Sequence, residues 1–146
     1  MNISIIYTSQ TGNTKEVAEM INEVLIAGGH NTTCINIYHE KFNDNHVKDK
    51  DLILFGAYTW GNGKLPEEMR NCLKYIIKEK QLKLPKVAVF GTGETMWTYY
   101  CRAVDEMEYH LSKVTTVLGK LKIEQSPRGN QKHLPIEFIN KILREV

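Results

Sequence analysis

The stretch Tyr7–Thr14, "YTSQTGNT", carries five hydroxyls, two amides and one glycine, and no charge. It follows the apolar run "ISIIYTS" (3–9) and precedes "NTKEVAEMINEVLIAGG" (13–29), whose Val17, Met20, Ile21, Val24 and Leu25 recur at helical spacing. A polar, glycine-containing loop between a buried strand and a helix N-terminus aims unpaired backbone N–H groups at an anion. Gly12 lets the backbone turn sharply or approach closely. With no Lys or Arg among the eight residues, a phosphate here would be held by hydrogen bonds rather than by an ion pair. The competing reading is a helix N-cap by Thr11, Asn13 or Thr14, which needs only one such residue. The loop lacks the G-x-x-x-x-G-K-[ST] string of a P-loop and the three glycines of a dinucleotide fingerprint.

Outward from this loop, apolar runs alternate with amphipathic stretches. "TTCINIY" (32–38), "DLILFGA" (51–57), "KVAVFGT" (86–92) and "LGKLKIEQ" (118–125) read as strands, the last of them suited to an edge. "LPEEMRNCLKYIIKEK" (65–80), 99–113 and "LPIEFINKILREV" (134–146) read as helices, and "HEKFNDNHVKDK" as a loop or short helix. This order implies an α/β domain with a parallel sheet and helices on both faces. Ligands of such sheets bind beyond the carboxyl ends of the strands, so three loops concentrate the chemistry: those after Ser9, Ala57 and Gly91.

The chain has 146 residues, enough for one domain, here 1–146, with one substantial core. No apolar run reaches the roughly 20 residues that cross a bilayer, and "MNISIIYTS" lacks the basic start of a signal peptide. Three cysteines with no C-x-x-C pair argue for a reducing, cytoplasmic setting. Five scattered histidines give no metal-ligand spacing. The net charge of +2 divides into −3 over residues 1–70 and +5 over 71–146, without the basic arm of a nucleic-acid binder.

The second loop, "AYTWGNGKLP", offers Trp60 among glycines, and the third, "GTGETMWTYY", offers Trp97. The alternative for Trp60 is simple packing at the sheet end, and Tyr99 and Tyr100 read first as packing residues. Two indoles beside a phosphate site suggest a slot for a flat aromatic ligand with a phosphate tail, a description that flavin mononucleotide (FMN) fits.

Taken together, "TSQTGNT", "TWGNGKLP" and "GTGETMWTYYCRAVDEME" resemble the three flavin loops of the short-chain flavodoxins, and the resemblance covers the whole chain. It implies a flavodoxin-like, doubly wound five-stranded parallel sheet of order 2-1-3-4-5. Ser9, Gln10, Thr11, Asn13 and Thr14 match the phosphate loop, Thr59, Trp60, Gly61 and Asn62 the loop over one flavin face, and Gly93, Glu94 and Trp97 the third. With Thr8, Gly12, Gly63 and Thr92 from the same loops, and Tyr99 and Cys101 beside the third, these form the candidate cofactor-binding set. Trp97 replaces the usual outer Tyr, Asn62 and Glu94 stand where Asp is common, and the chain is basic where the family is acidic.

The resemblance implies non-covalent FMN and a low-potential one-electron carrier, not an enzyme, shuttling between semiquinone and hydroquinone. The implied partners are redox proteins: a flavodoxin reductase as donor and an acceptor enzyme, with no nucleic acid, no membrane insertion and a monomeric chain. Glu67, Glu68, Glu94, Asp105 and Glu106 are the candidate acidic docking rim, interrupted by Lys64 and Arg102. Two other readings stay open: a flavodoxin-like activator of a manganese ribonucleotide reductase, and a two-electron quinone or flavin reductase. A phosphoreceiver lacks its acidic residues here, and a low-molecular-weight phosphatase lacks C-x-x-x-x-x-R.

Overall fold

The computed structural model describes residues 1–59, 62–94 and 99–146. Five parallel strands, β1 (Asn2–Tyr7), β2 (Asn31–Asn36), β3 (Leu52–Tyr58), β4 (Lys86–Gly93) and β5 (Val117–Glu124), form one sheet in the order β2-β1-β3-β4-β5. The expected strands therefore hold to within two residues at each end, and "LGKLKIEQ" lies on an edge as its alternation indicates. Four α-helices accompany them among the described residues: α1 (Asn13–Ala27), α2 (Glu67–Lys74) and α3 (Arg102–Ser112) between strands, and α4 (Leu134–Glu145) after β5.

The central strands are buried on both faces, and this is why β3 and β4 read as continuous apolar runs. Side chains alternate across the sheet. Ile53, Phe55 and Ala57 face one core with Met69, Leu73 and Ile76 beneath the second helix and Val104, Met107 and Leu111 beneath the third. Leu52 and Leu54 face the other, filled by Val17, Ile21 and Leu25 of α1 and Phe138, Ile139 and Ile142 of α4. Helices thus cover both faces.

The stretch expected as one helix over 65–80 is shorter at its start and changes pitch. Pro66 occupies the N-cap position of α2, Glu67 and Glu68 fill its first turn, and the chain opens into a π turn over Tyr75–Glu79. The acidic first turn suits the helix dipole. "HEKFNDNHVKDK" contains a single 3-10 turn at Asp44–His46, closed by a reciprocal capping box from Asn43.

Register sets where the three loops emerge. Tyr7 pairs with Gly56, and Tyr58 with Thr92, so the ends of β1, β3 and β4 lie along one edge of the sheet.

Candidate functional site

Three hydrogen bonds tie the loops together at that edge. Thr8 N–H donates to Gly56 O at 3.0 Å, Thr59 N–H to Thr92 O at 3.1 Å, and the hydroxyls of Thr14 and Thr92 pair at 2.8 Å. Thr8, Ser9, Thr14 and Thr92 are all buried. The strand ends therefore bring the first and third loops into direct contact, with the second between them.

In the first loop the N-cap of α1 is Gly12, not Thr11, Asn13 or Thr14. Gly12 has φ +104°, a left-handed backbone that side chains disfavour, and no side chain caps the helix from that position. Ser9 supplies part of the missing cap: its hydroxyl accepts from the amides of Gly12 and Lys15, each at 3.2 Å. That geometry leaves the Ser9 hydrogen available to donate. Among the described residues, no acceptor is bonded to the amides of Thr11, Asn13 and Thr14. A helix start with open amides and inward hydroxyls has the donors to receive an anion, and a side-chain N-cap by Thr11, Asn13 or Thr14 is not what the backbone does.

Asn36, at the end of β2, holds this loop from the side. Its carbonyl oxygen accepts from Ser9 N at 3.0 Å and from Tyr38 N at 3.1 Å, while its amide donates to Ser9 O at 3.1 Å. Glu68 holds it from below: Oε1 accepts from the Thr8 hydroxyl at 2.6 Å and from the Tyr58 hydroxyl at 3.0 Å. Sequence reading leaves Asn36 out of the site and gives Tyr58, at the start of the second loop, no role in it; the strand register brings both there.

In the second loop, Thr59 Oγ1 accepts from Ala103 N at 3.1 Å, joining this loop to α3. Asn62 Oδ1 accepts from Lys64 N at 3.0 Å, a side-chain-closed turn. Gly63 has φ +80°, and a Cβ there would stand 2.6 Å from the Cβ of Tyr99, so the second and third loops pack without room for a side chain. Tyr99 is half-exposed, with the Arg102 guanidinium 4.9 Å above its ring. In the third loop, Gly93 O accepts from Gln125 N at 2.8 Å and the Glu94 carboxylate from Gln125 Nε2 at 2.9 Å. Gln10 and Thr11 are exposed at the mouth of the first loop.

Cys101 is fully buried at the N-cap of α3, with Sγ 3.7 Å from Ile123 O and 3.9 Å from Gly91 O. Burial pushes its thiol up to about 11, against smaller downward pulls from Tyr100, Lys122 and the Ile123 backbone. It is a packing residue in the floor of the third loop. Trp60, Gly61 and Trp97, expected around the flat ligand, lie outside the described residues.

The matched family model is described as Flavodoxin and spans residues 5–135. The chain belongs to the flavodoxin family. It is 30% identical to "Probable flavodoxin 2" of Bacillus subtilis over 93% of this chain and 90% of that one. It is 32% identical to a flavodoxin of Nitratidesulfovibrio vulgaris over 87% of each. The crystal structure of oxidised Flavodoxin 2 from Bacillus cereus superposes with a TM-score of 0.87 at 30% identity, covering 100% of both chains. Flavodoxins are FMN-binding electron-transfer proteins that work with redox partner proteins.

The phosphate end of the site fits that cofactor on its own donor set: open amides at the start of α1, the Ser9 hydroxyl and the buried Thr14–Thr92 pair. Of the expected acidic rim, Glu67 is exposed and the other four carboxylates have partners within the chain. Glu68 is engaged by Thr8 and Tyr58, Glu94 by Gln125, Asp105 by Lys120 and Lys122, and Glu106 by Arg70. No helix among the described residues is long and apolar enough to cross a membrane, and no cluster of three or more His, Cys, Asp or Glu stands ready for a metal ion.

Proposed function

We propose that this chain is a single FMN-binding domain over residues 1–146 that carries electrons one at a time at low potential between redox proteins, as a monomer in the cytoplasm. When bound, FMN supplies one-electron chemistry between its one-electron-reduced and fully reduced states. The observation that carries the reading is the left-handed Gly12 N-cap, which supplies no side-chain cap of its own and, among the described residues, leaves the Thr11, Asn13 and Thr14 amides without an acceptor beside the Ser9 hydroxyl.

Each loop then has a distinct task. Thr11, Asn13 and Thr14 offer amides, and Ser9 and Thr14 hydroxyls, to the phosphate monoester; Gln10 covers the mouth. Thr59, Trp60, Gly61, Asn62 and Gly63 form one side of the ring slot, and Thr92, Gly93, Glu94, Trp97 and Tyr99 the other. Thr8 and Cys101 support these walls from within, since the Thr8 hydroxyl is committed to Glu68 and Cys101 is wholly buried. Such walls keep water from the ring, and a drier site disfavours added negative charge on it, giving a strong reductant. Among the described residues the three cysteines are unpaired, which supports a reducing compartment.

The test is an anaerobic stepwise reduction of the purified protein followed by visible absorption. A yellow protein that turns blue and then pale carries single electrons. Direct bleaching without a blue stage points to two-electron chemistry, and a colourless chain that refuses FMN overturns the assignment.

A further inference from the structure

β4 lies between β3 and β5, and its side chains alternate across the sheet. Ala88 and Phe90 pack in the core beneath α1 and α4, and Thr92 continues that row toward α1. Gly91, between Phe90 and Thr92, backs instead onto Val104 of α3. Thr92 thus belongs to the third loop by its backbone and to the first by its side chain. Its hydroxyl lies 2.8 Å from that of Thr14, 78 residues earlier in the first turn of α1. Thr92 is 2% exposed and Thr14 1%.

Among the described residues, neither hydroxyl has a second hydrogen-bond partner. Each carries one hydrogen, and the single bond between them uses one of the two. The other hydrogen is buried, and a buried donor left unmade costs the desolvation of its group. The surroundings name its acceptor. The Thr14 amide is open as well, Gly12 gives α1 no side-chain cap, and the start of a helix favours negative charge. Direction follows from how each hydroxyl is held. Thr92 is fixed inside the sheet, paired with Tyr58 of β3 and Ile123 of β5, and its carbonyl accepts from Thr59 N–H at 3.1 Å. Thr14 stands at the open end of α1. The order that uses both hydrogens is therefore Thr92 to Thr14, and Thr14 outward to an anion. A charged acceptor strengthens both bonds of such a chain.

We propose that Thr92 is a positioning residue for the phosphate of FMN. Its hydroxyl donates to Thr14 Oγ1, fixes that oxygen, and turns the Thr14 hydrogen toward the phosphate. It thereby favours FMN over riboflavin, which has the same ring and no phosphate. Because the Thr92 side chain faces α1, removing its hydroxyl leaves the walls of the ring slot in place. This deepens the FMN reading and rests on it.

The flavin-free full chain is titrated with FMN and, separately, with riboflavin, following flavin fluorescence. Thr92→Val keeps a branched side chain suited to a strand and removes the hydroxyl. It should weaken FMN binding about tenfold and leave riboflavin binding within about twofold. Thr92→Ser retains the donor and should bind FMN within about threefold of the unaltered chain. In a Thr14→Val background, Thr92→Val should cost no further FMN affinity, because the hydroxyl chain is already broken. Thr92→Ala is read beside Thr92→Val and gives the same comparison if the valine variant does not fold. Equal losses for both flavins, no loss for FMN, no rescue by serine, or full additivity of the two valines overturns the proposal. So does equal affinity of the unaltered chain for the two flavins. If the unaltered chain binds neither, the FMN reading falls and this role with it; if it binds FMN and Thr92→Val changes nothing, only the role of Thr92 falls.

Discussion

The Thr8 hydroxyl donates to Glu68 Oε1 at 2.6 Å, and the same oxygen accepts from Tyr58 at 3.0 Å. One carboxylate in the first turn of α2 therefore joins the ends of β1 and β3 just where the first two cofactor loops leave the sheet. Glu68→Ala strands the fully buried Thr8 hydroxyl, at a cost of roughly 1–3 kcal/mol. Fluorescence titration of the FMN-free protein should show FMN binding weakened by about tenfold or more. Glu68→Gln keeps an acceptor oxygen for both donors and should bind FMN within about threefold of the unaltered chain. An alanine variant that binds normally would mean the loops hold their positions without this link.

Two glycines should fail for different reasons. At Gly12 an added Cβ meets nothing within 4 Å, so Gly12→Ala carries only the left-handed backbone cost of about 1–2 kcal/mol. At Gly91 the Cβ would stand 2.4 Å from Ala57 O and 2.5 Å from Val104 Cγ2, inside the sheet, where the backbone cannot give way. Urea unfolding should show a modest loss of midpoint for Gly12→Ala and a loss of several kcal/mol, or no folded protein, for Gly91→Ala. Similar midpoints for the two would contradict this ordering.

These contrasts show what the sequence made legible. The two-sided burial of β3 and β4 is written as continuous apolar runs, and the helix of α1 as spaced Val17, Ile21 and Leu25, so the α/β class and the sheet-end location followed from pattern, while the strand order came with the family resemblance. The hydroxyl-rich loop was readable because many donors in a row exceed what capping needs. Asn36, Tyr58 and the role of Glu68 were not readable. Each acts across strands or between strand and helix, and their meeting depends on register, which a single chain's local pattern does not encode. The contacts of the acidic rim were equally unreadable: that Asp105 meets Lys120 and Lys122 of β5, more than a dozen residues away, follows from how α3 packs on that strand.

Asp105 also gives a signed pH effect. Partial burial pushes its carboxyl up, but Lys122 at 2.8 Å and Lys120 at 3.1 Å outweigh that and hold it below its usual 3.8. A carboxyl lowered in the folded state adds stability above the unfolded pKa, and that stability is lost as pH falls through the folded one. The side chain is 42% exposed, so solvent keeps the contribution small. Thermal melts from pH 6 downward should show a loss beginning near pH 4 that is shallower in Lys122→Met. Identical slopes in both proteins would remove the pair from the acid response.

Cys101 should be inert in the folded protein. With its thiol pushed up to about 11, only about one molecule in a thousand is thiolate at pH 8, and the residue is fully buried. Cys72, buried and pushed up to about 12, should behave alike. Mass spectrometry after iodoacetamide at pH 8 should find both unmodified until denaturant is added. Rapid labelling of Cys101 in the native state would show that the third loop opens readily.

Asn62 allows charge to be changed without changing shape. Its Oδ1 accepts from Lys64 N at 3.0 Å, and an aspartate oxygen can accept the same bond, so Asn62→Asp should preserve the turn. A carboxylate roughly 10 Å from the ring, at an effective dielectric near 20, opposes the added negative charge by about 1.7 kcal/mol. For a one-electron step that is on the order of 70 mV, and salt screening makes it an upper bound. The potential of the final reduction should therefore fall in Asn62→Asp, most at low ionic strength, when measured by anaerobic titration with reference dyes. A potential that stays the same or rises would show that charge at this turn does not reach the ring.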